Sequence, residues 1–275
     1  MQKAKDILSK AEDLADAAHH NIKQFLPTIA RLFLVSTFLE DGLRMIFQWQ
    51  SQKDFMVQVW SCGEVLGHVF VIVNMVAQLA SVFMVLSQRK IPIAVSILAG
   101  VILLQTIAYQ TITHWFQIFT HQFMVTLALI GGLVLVYAAS QHDPENINPG
   151  LPELEKGPKP KAYMQLAGRV LLPMMFLTRL RFGLHWHYYL VFYVVGTILI
   201  LCVFSGFKTK LSAFVLACGL FLENFFENPF WSFDDGVRDI IKYDFFLTFS
   251  VIGGLLLVVE MGPGSVSWDE RKKNK

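Results

Sequence analysis

The sequence predicts an all-α polytopic membrane protein, with about eight transmembrane helices in a duplicated 4+4 bundle and both termini cytosolic. Three observations carry that expectation. Hydrophobic residues make up 54% of the 275 and charged residues 16%, where an average soluble domain has roughly 25% charged, and the mean hydropathy is +0.49. From Ile91 to His142 there is no Asp, Glu, Lys or Arg. Blocks of the first half also recur, in order, in the second. A soluble fold would lack the polar surface to cover this apolar share. The net charge of +2 sets up no long-range field for a polyanion, so no nucleic-acid partner is expected. The lipid bilayer is.

The elements follow in chain order. Residues 1–27 are charged and have neither an apolar h-region nor a small-residue cleavage site, so no cleaved signal peptide is expected. They read as a cytosolic amphipathic segment, with Ile7, Leu8, Leu14 and Ala18 on one face. The first four-helix half is 28–140. Its first span, Ile29–Trp49, is cryptic because Arg31, Glu40, Asp41 and Arg44 interrupt it. Val65–Gln88 is the second. A span needs about 20 apolar residues, so the uncharged stretch is too long for one helix and divides at the polar Gln110–Gln122 into the third and fourth. Residues 141–162, with Pro144, Pro149, Pro152, Pro158 and Pro160, form a cytosolic linker. The second half, 163–262, holds the cryptic Tyr163–Leu180, then Phe182–Lys208, Leu211–Phe226 and Phe245–Met261. Residues 263–275 are a cytosolic tail.

Two pairs of blocks define the repeat. "RLFLVSTFLEDGLRM" from Arg31 matches "RVLLPMMFLTRLRFG" from Arg169, and "LALIGGLVLVYA" from Leu127 matches "FSVIGGLLLVVE" from Phe249. The Gly-Gly pairs are small-residue surfaces for close helix packing. Basic residues set the orientation. With eight alternating helices, the non-cytosolic side carries only Lys53, Arg179, Arg181, Arg238 and Lys242, and most other Lys and Arg lie on the cytosolic side.

Candidate site residues begin with charges inside the first span. Arg44 stands at i+4 from Glu40 and i+3 from Asp41, so it can pair with one of them. The other acid needs a second partner, water or a ligand, because an unpaired charge there costs roughly 2.5–3.5 kcal/mol on insertion scales. Glu64, Gln105, Tyr109, Glu223 and Asn224 add polar groups, as do Asn74, Gln78, Glu227 and Asp244. One reading is an internal network that locks the bundle. The other is a polar cavity, open to the non-cytosolic side, that accepts a ligand. Lys272 and Lys273 stand fourth and third from the end, the register of a receptor-read dilysine retrieval signal. His185 with His187, and His19 with His20, have no carboxylate or thiol in local register, so no metal is expected. Cys62, Cys202 and Cys218 form no disulfide framework. No nucleophile–base motif or cofactor fingerprint occurs; neither an enzyme nor a cofactor is expected.

"ARLFLVSTFLEDGLRMIFQW" (Ala30–Trp49), "LQTIAY" (Leu104–Tyr109), "YMQLAGRVLL" (Tyr163–Leu172), "GFKTKLSA" (Gly206–Ala213) and "KYDFFLTFSVIGGLLLVVEMGPGSVS" (Lys242–Ser267) resemble the Surfeit locus protein 4 family across essentially the whole chain. The resemblance implies a multispanning cargo receptor of the endoplasmic reticulum (ER), the ER–Golgi intermediate compartment and the early Golgi. It would bind soluble secretory proteins in the lumen, load them into COPII vesicles and return by COPI, with Lys272-Lys273 as the return signal. COPII and COPI coats would be partners; association with other cargo receptors and homo-oligomerisation stay open. The loop from Arg179 to Tyr189 departs from the family pattern, and no function is carried onto it.

Two further classes compete with this reading. A small-molecule or lipid transporter or scramblase suits a duplicated bundle with charges inside its spans. A quinone-linked oxidoreductase would need paired thiols or haem ligands, which the sequence does not offer.

Overall fold

The computed structural model describes residues 25–61, 63–110, 117–141, 160–178, 186–262, 264 and 267. Among them every regular element is helical: α1 (Leu26–Leu34), α2 (Ser36–Phe47), α3 (Trp49–Trp60), α4 (Glu64–Leu86), α5 (Ile91–Gln110), α6 (Gln117–Ser140), α7 (Pro160–Leu171), α8 (Met174–Thr178), α9 (Trp186–Ser205), α10 (Thr209–Glu227) and α11 (Asp235–Met261), with a 3₁₀ turn at Phe230–Ser232. Among the described residues, four stretches are long and apolar enough to cross a membrane: Glu64–Leu86, Phe123–Ser140, Thr209–Ser232 and Gly236–Met261. Ile91–Ile107 and Val194–Ser205 are shorter apolar helices. The chain is therefore an all-α polytopic membrane protein.

Both cryptic segments are helical, and both are interrupted. The expected Ile29–Trp49 is α1 and α2, bent at Val35, where φ is −87° and ψ is 1°. The hydrogen bonds from Val35 N to Arg31 O and from Leu39 N to Val35 O carry the chain across the bend. The expected Tyr163–Leu180 is α7 and α8, parted at Pro173, which has no N–H to continue the ladder.

Two expectations are corrected. Hydropathy ends the first span at Trp49, yet α3 runs on to Trp60 before Ser61 turns the chain through a left-handed conformation. Lys53, read only as a residue of the non-cytosolic side, is buried there against Gly67 of α4, with its ammonium 3.1 Å from Asp54. Polar Gln50, Gln52, Lys53 and Asp54 hide α3 from any hydropathy criterion. The last span was expected to begin at Phe245, but α11 begins at Asp235. That brings Lys242, read as a loop residue, into the helix.

α11 and α6 sit at the centre. α11 packs on α1, α2, α6 and α10, while α6 packs on α5, α7 and α8. Their glycines make this closeness feasible. A Cβ on Gly253 would fall on Leu34 N and 2.5 Å from Ala30 O, both backbone atoms of α1. A Cβ on Gly131 would lie 2.7 Å from Leu171 Cβ and 2.9 Å from Leu172 N. Leu34 and Leu172, which share a register position in the matched blocks, are each 1% exposed. Thus the Gly-Gly helix of each half rests on the first helix of the other. Residues 1–24, 142–159 and 268–275 lie outside the described residues, so the amphipathic N-terminus, most of the linker and Lys272-Lys273 do as well.

Candidate functional site

A polar seam runs through this apolar bundle where α2 meets α4, α5 and α11. Gly42 is its enabling residue: a Cβ there would lie 2.8 Å from Leu79, so α2 and α4 approach closely one residue beyond Asp41. Asp41 Oδ2 accepts from Gln78 Nε2 of α4 at 2.7 Å and from Gln105 Nε2 of α5 at 2.6 Å. Its other oxygen accepts from Arg44 Nη2. One carboxylate thereby joins three helices.

Glu40 points to the other neighbour. Lys242 Nζ of α11 stands 3.3 Å from Glu40 Oε1, and Arg44 Nε is 3.9 Å away. Of the alternatives open for the second acid, the structure shows a partner on another helix. Two carboxylates meet two cations, and the second cation comes from the early start of α11. Glu40 and Asp41 are 4% and 6% exposed, depths at which such pairing is required. Further along the α2–α11 contact, Ser36 Oγ donates to Phe246 O at 3.1 Å, and the Thr37 and Ser250 hydroxyls are 2.7 Å apart.

Beside Asp41 a cleft opens between α2, α5, α6 and α11. Thr37, Asp41, Gln105, Thr106, Thr126 and Tyr243 give it a polar wall, and Phe38, Ile102 and Leu129 complete it. The enclosed space is small, with room for about one water-sized group. Thr106 and Thr126 close one side, with their hydroxyls 3.2 Å apart. The arrangement presents a carboxylate oxygen, hydroxyls and amides beside apolar surface, which suits a small apolar group carrying a hydrogen-bond donor.

The structure gathers Glu40, Asp41, Arg44 and Gln105 of the expected set and leaves the others elsewhere. Glu64 is exposed in the first turn of α4. Asn224 is fully buried but serves packing: its amide donates to Phe245 O at 3.1 Å and its oxygen accepts from Asn228 at 2.7 Å. Glu223, one residue earlier on α10, is half-buried and off the Asp41 cleft. Tyr109 lies on α5 with its side chain outside the described residues. Lys242, Thr37, Thr126 and Tyr243 were missed as site residues. For Lys242 a signal existed, a lone cation beside the apolar run, hidden by the short reading of α11.

Among the described residues no group of His, Cys, Asp and Glu could hold a metal ion. Comparison with known proteins places the chain. It is 44% identical to the Surfeit locus protein 4 homolog of Drosophila melanogaster, over 98% of this chain and 97% of the other. It is 32% identical to the ER-derived vesicles protein ERV29 of Saccharomyces cerevisiae over 96% of this chain and 83% of that one. It is 36% identical to the Surfeit locus protein 4 homolog of Schizosaccharomyces pombe over 90% and 82%. No solved structure matches. A profile of the SURF4 family matches residues 5–275, the whole of the bundle included, and the chain belongs to that family.

Proposed function

We propose that the protein is a cargo receptor of the endoplasmic reticulum membrane. It binds soluble secretory proteins in the lumen, loads them into COPII vesicles and returns from the intermediate compartment and early Golgi by COPI, read from Lys272 and Lys273. A relative named for ER-derived vesicles supports this setting. The orientation with both termini cytosolic, read from the basic residues, supports a coat-read tail. No catalytic step is proposed.

The observation that carries the reading is the Asp41 cleft. A small receptor with short loops lacks surface for a wide interface, whereas a cleft between helices takes a few extended residues. In this reading Asp41, Gln105, Thr106 and Thr126 meet the cargo's donor groups. Glu40, Arg44 and Lys242 hold α2 against α11 and keep the carboxylate in place. Asp41→Asn tests the assignment: the variant should accumulate and reach vesicles, while a secretory protein that depends on the receptor stays in the endoplasmic reticulum. Normal export of that protein by an Asp41→Asn variant would sink it, and loss of the receptor by degradation would assign Asp41 to the packing network alone.

The transporter reading has one observation in its favour, the burial of the cleft among spanning helices. It requires solute or lipid movement by vesicles containing the purified protein alone. The cargo-receptor reading requires none.

A further inference from the structure

The bend that ends α2 is tied to two different helices. α2 stops at Phe47 and α3 starts at Trp49; between them Gln48 leaves the helical range, with φ −115° and ψ 35°. Gln48 Nε2 donates to Asp239 Oδ2 of α11 at 2.8 Å, and Trp49 Nε1 donates to His68 Nδ1 of α4 at 3.1 Å. The indole and imidazole planes are 26° apart, with centroids separated by 5.7 Å. That is the near-coplanar setting an in-plane bond between two ring nitrogens needs. Both rings are half-buried, so a proton from solvent can reach them. Beside His68, α3 lies close on α4: a Cβ on Gly67 would meet Val57 Cγ2 at 2.9 Å and Lys53 Cγ at 3.2 Å.

The Trp49 tie depends on a lone pair. An indole N–H donates and has no capacity to accept, so His68 must be neutral at Nδ1 while the bond exists. A protonated imidazole carries N–H on both nitrogens. It then turns a donor toward a donor, and the tie is lost. Histidine is the side chain that changes charge between about pH 5 and 8, and His68 is the one histidine in the two ties.

The charges around His68 come from its own helix and from those packed on it. Glu64 stands one turn earlier on α4 and is exposed. On α3, Lys53 and Asp54 pair with each other at 3.1 Å. On α2, Arg44 is bound to Asp41 and faces Glu40. α5 carries no charged residue. Arg31 of α1 lies toward the far end of α4, beyond the level where Asp41 meets Gln78. A charged His68 would thus gain only the solvated Glu64, whose attraction water and salt weaken.

We propose that the Trp49–His68 bond is a pH-sensitive latch. It holds the α2–α3 bend against α4 when His68 is neutral and releases it when His68 takes up a proton. In the orientation read from the basic residues the bend lies on the luminal side. Asp41 stands on α2 about two turns from Trp49, so acid loosens the end of the helix that carries the candidate cargo carboxylate. The latch stands on its own geometry; only that last consequence rests on the cargo reading.

The test uses the full chain in lipid nanodiscs with nitrogen-15 tryptophan, the Trp49 indole signal being assigned by its loss in Trp49→Phe. From about pH 7.5 to about 5.5 that signal should move toward the position of an unbonded indole N–H. Amide exchange in α3, corrected for its intrinsic pH dependence, should quicken about two- to tenfold, the worth of one hydrogen bond. His68→Gln supplies an amide oxygen that accepts from the indole and takes up no proton in this range, so both responses should vanish. A Trp49 signal that stays fixed in the unaltered protein would overturn the proposal, whether or not the variant folds. An equal response in folded His68→Gln protein would overturn it too, since another group would then be the sensor. Neither result bears on the Asp41 assignment, which is read by cargo export.

Discussion

Glu40 and Asp41 are adjacent in sequence and divide the bundle between them. Asp41 reaches α4 and α5 through two glutamine amides, and Glu40 reaches α11 through Lys242. Removing one partner of a buried pair costs more than the pair contributes, because a charge is left without compensation. Lys242→Met should therefore lower stability by about 3 kcal/mol at most, since the lysine side chain is 34% exposed and part of its charge is already solvated. The double variant Glu40→Gln with Lys242→Met should recover most of that loss. Thermal melting of detergent-solubilised protein reads both, and additive losses would show that the two groups do not interact. The sequence made the local half of this cluster readable, because Arg44 follows Glu40 and Asp41 at helical spacing. Lys242 was readable only as a cation beside the apolar run; its contact with Glu40 depends on how α11 crosses α2, which no local spacing encodes.

At the scale of elements, the central helices are held by glycines that tolerate no added atom. Gly253→Ala would drive a methyl group into the Ala30 and Leu34 backbone, which cannot rotate away as a side chain can. Overpacking of this kind costs roughly 1–3 kcal/mol. Gly100, on α5, has nothing within 4 Å of its missing Cβ. Gly100→Ala should be neutral or stabilising by up to about 1 kcal/mol, the gain in helix propensity. Equal effects of the two substitutions on melting would contradict the packing account. Hydropathy was enough for the strongly apolar helices, since α4 and α9 begin and end close to where their apolar runs do. It failed for α3 and for the first turns of α11, where polar residues such as Gln52, Lys53, Arg238 and Lys242 stand in helices that pack on α4 and α2.

For the molecule as a whole, the proposed function couples ligand binding in the bundle to retrieval through Lys272 and Lys273. In the proposed reading, Lys272→Ser with Lys273→Ser should move the protein from the endoplasmic reticulum toward the Golgi without altering its melting. Unchanged distribution at low expression would reduce the pair to a basic membrane flank. The central claim is that secretory cargo enters the Asp41 cleft, and a photoreactive amino acid on its rim tests it most directly. Placed at Thr106, it should crosslink a secretory protein in intact ER membranes; placed at Val76, on the outer face of α4, it should not. The Thr106 crosslink should disappear when Asp41→Asn is added. A crosslink of equal yield at both positions, or one that survives Asp41→Asn, would contradict the account.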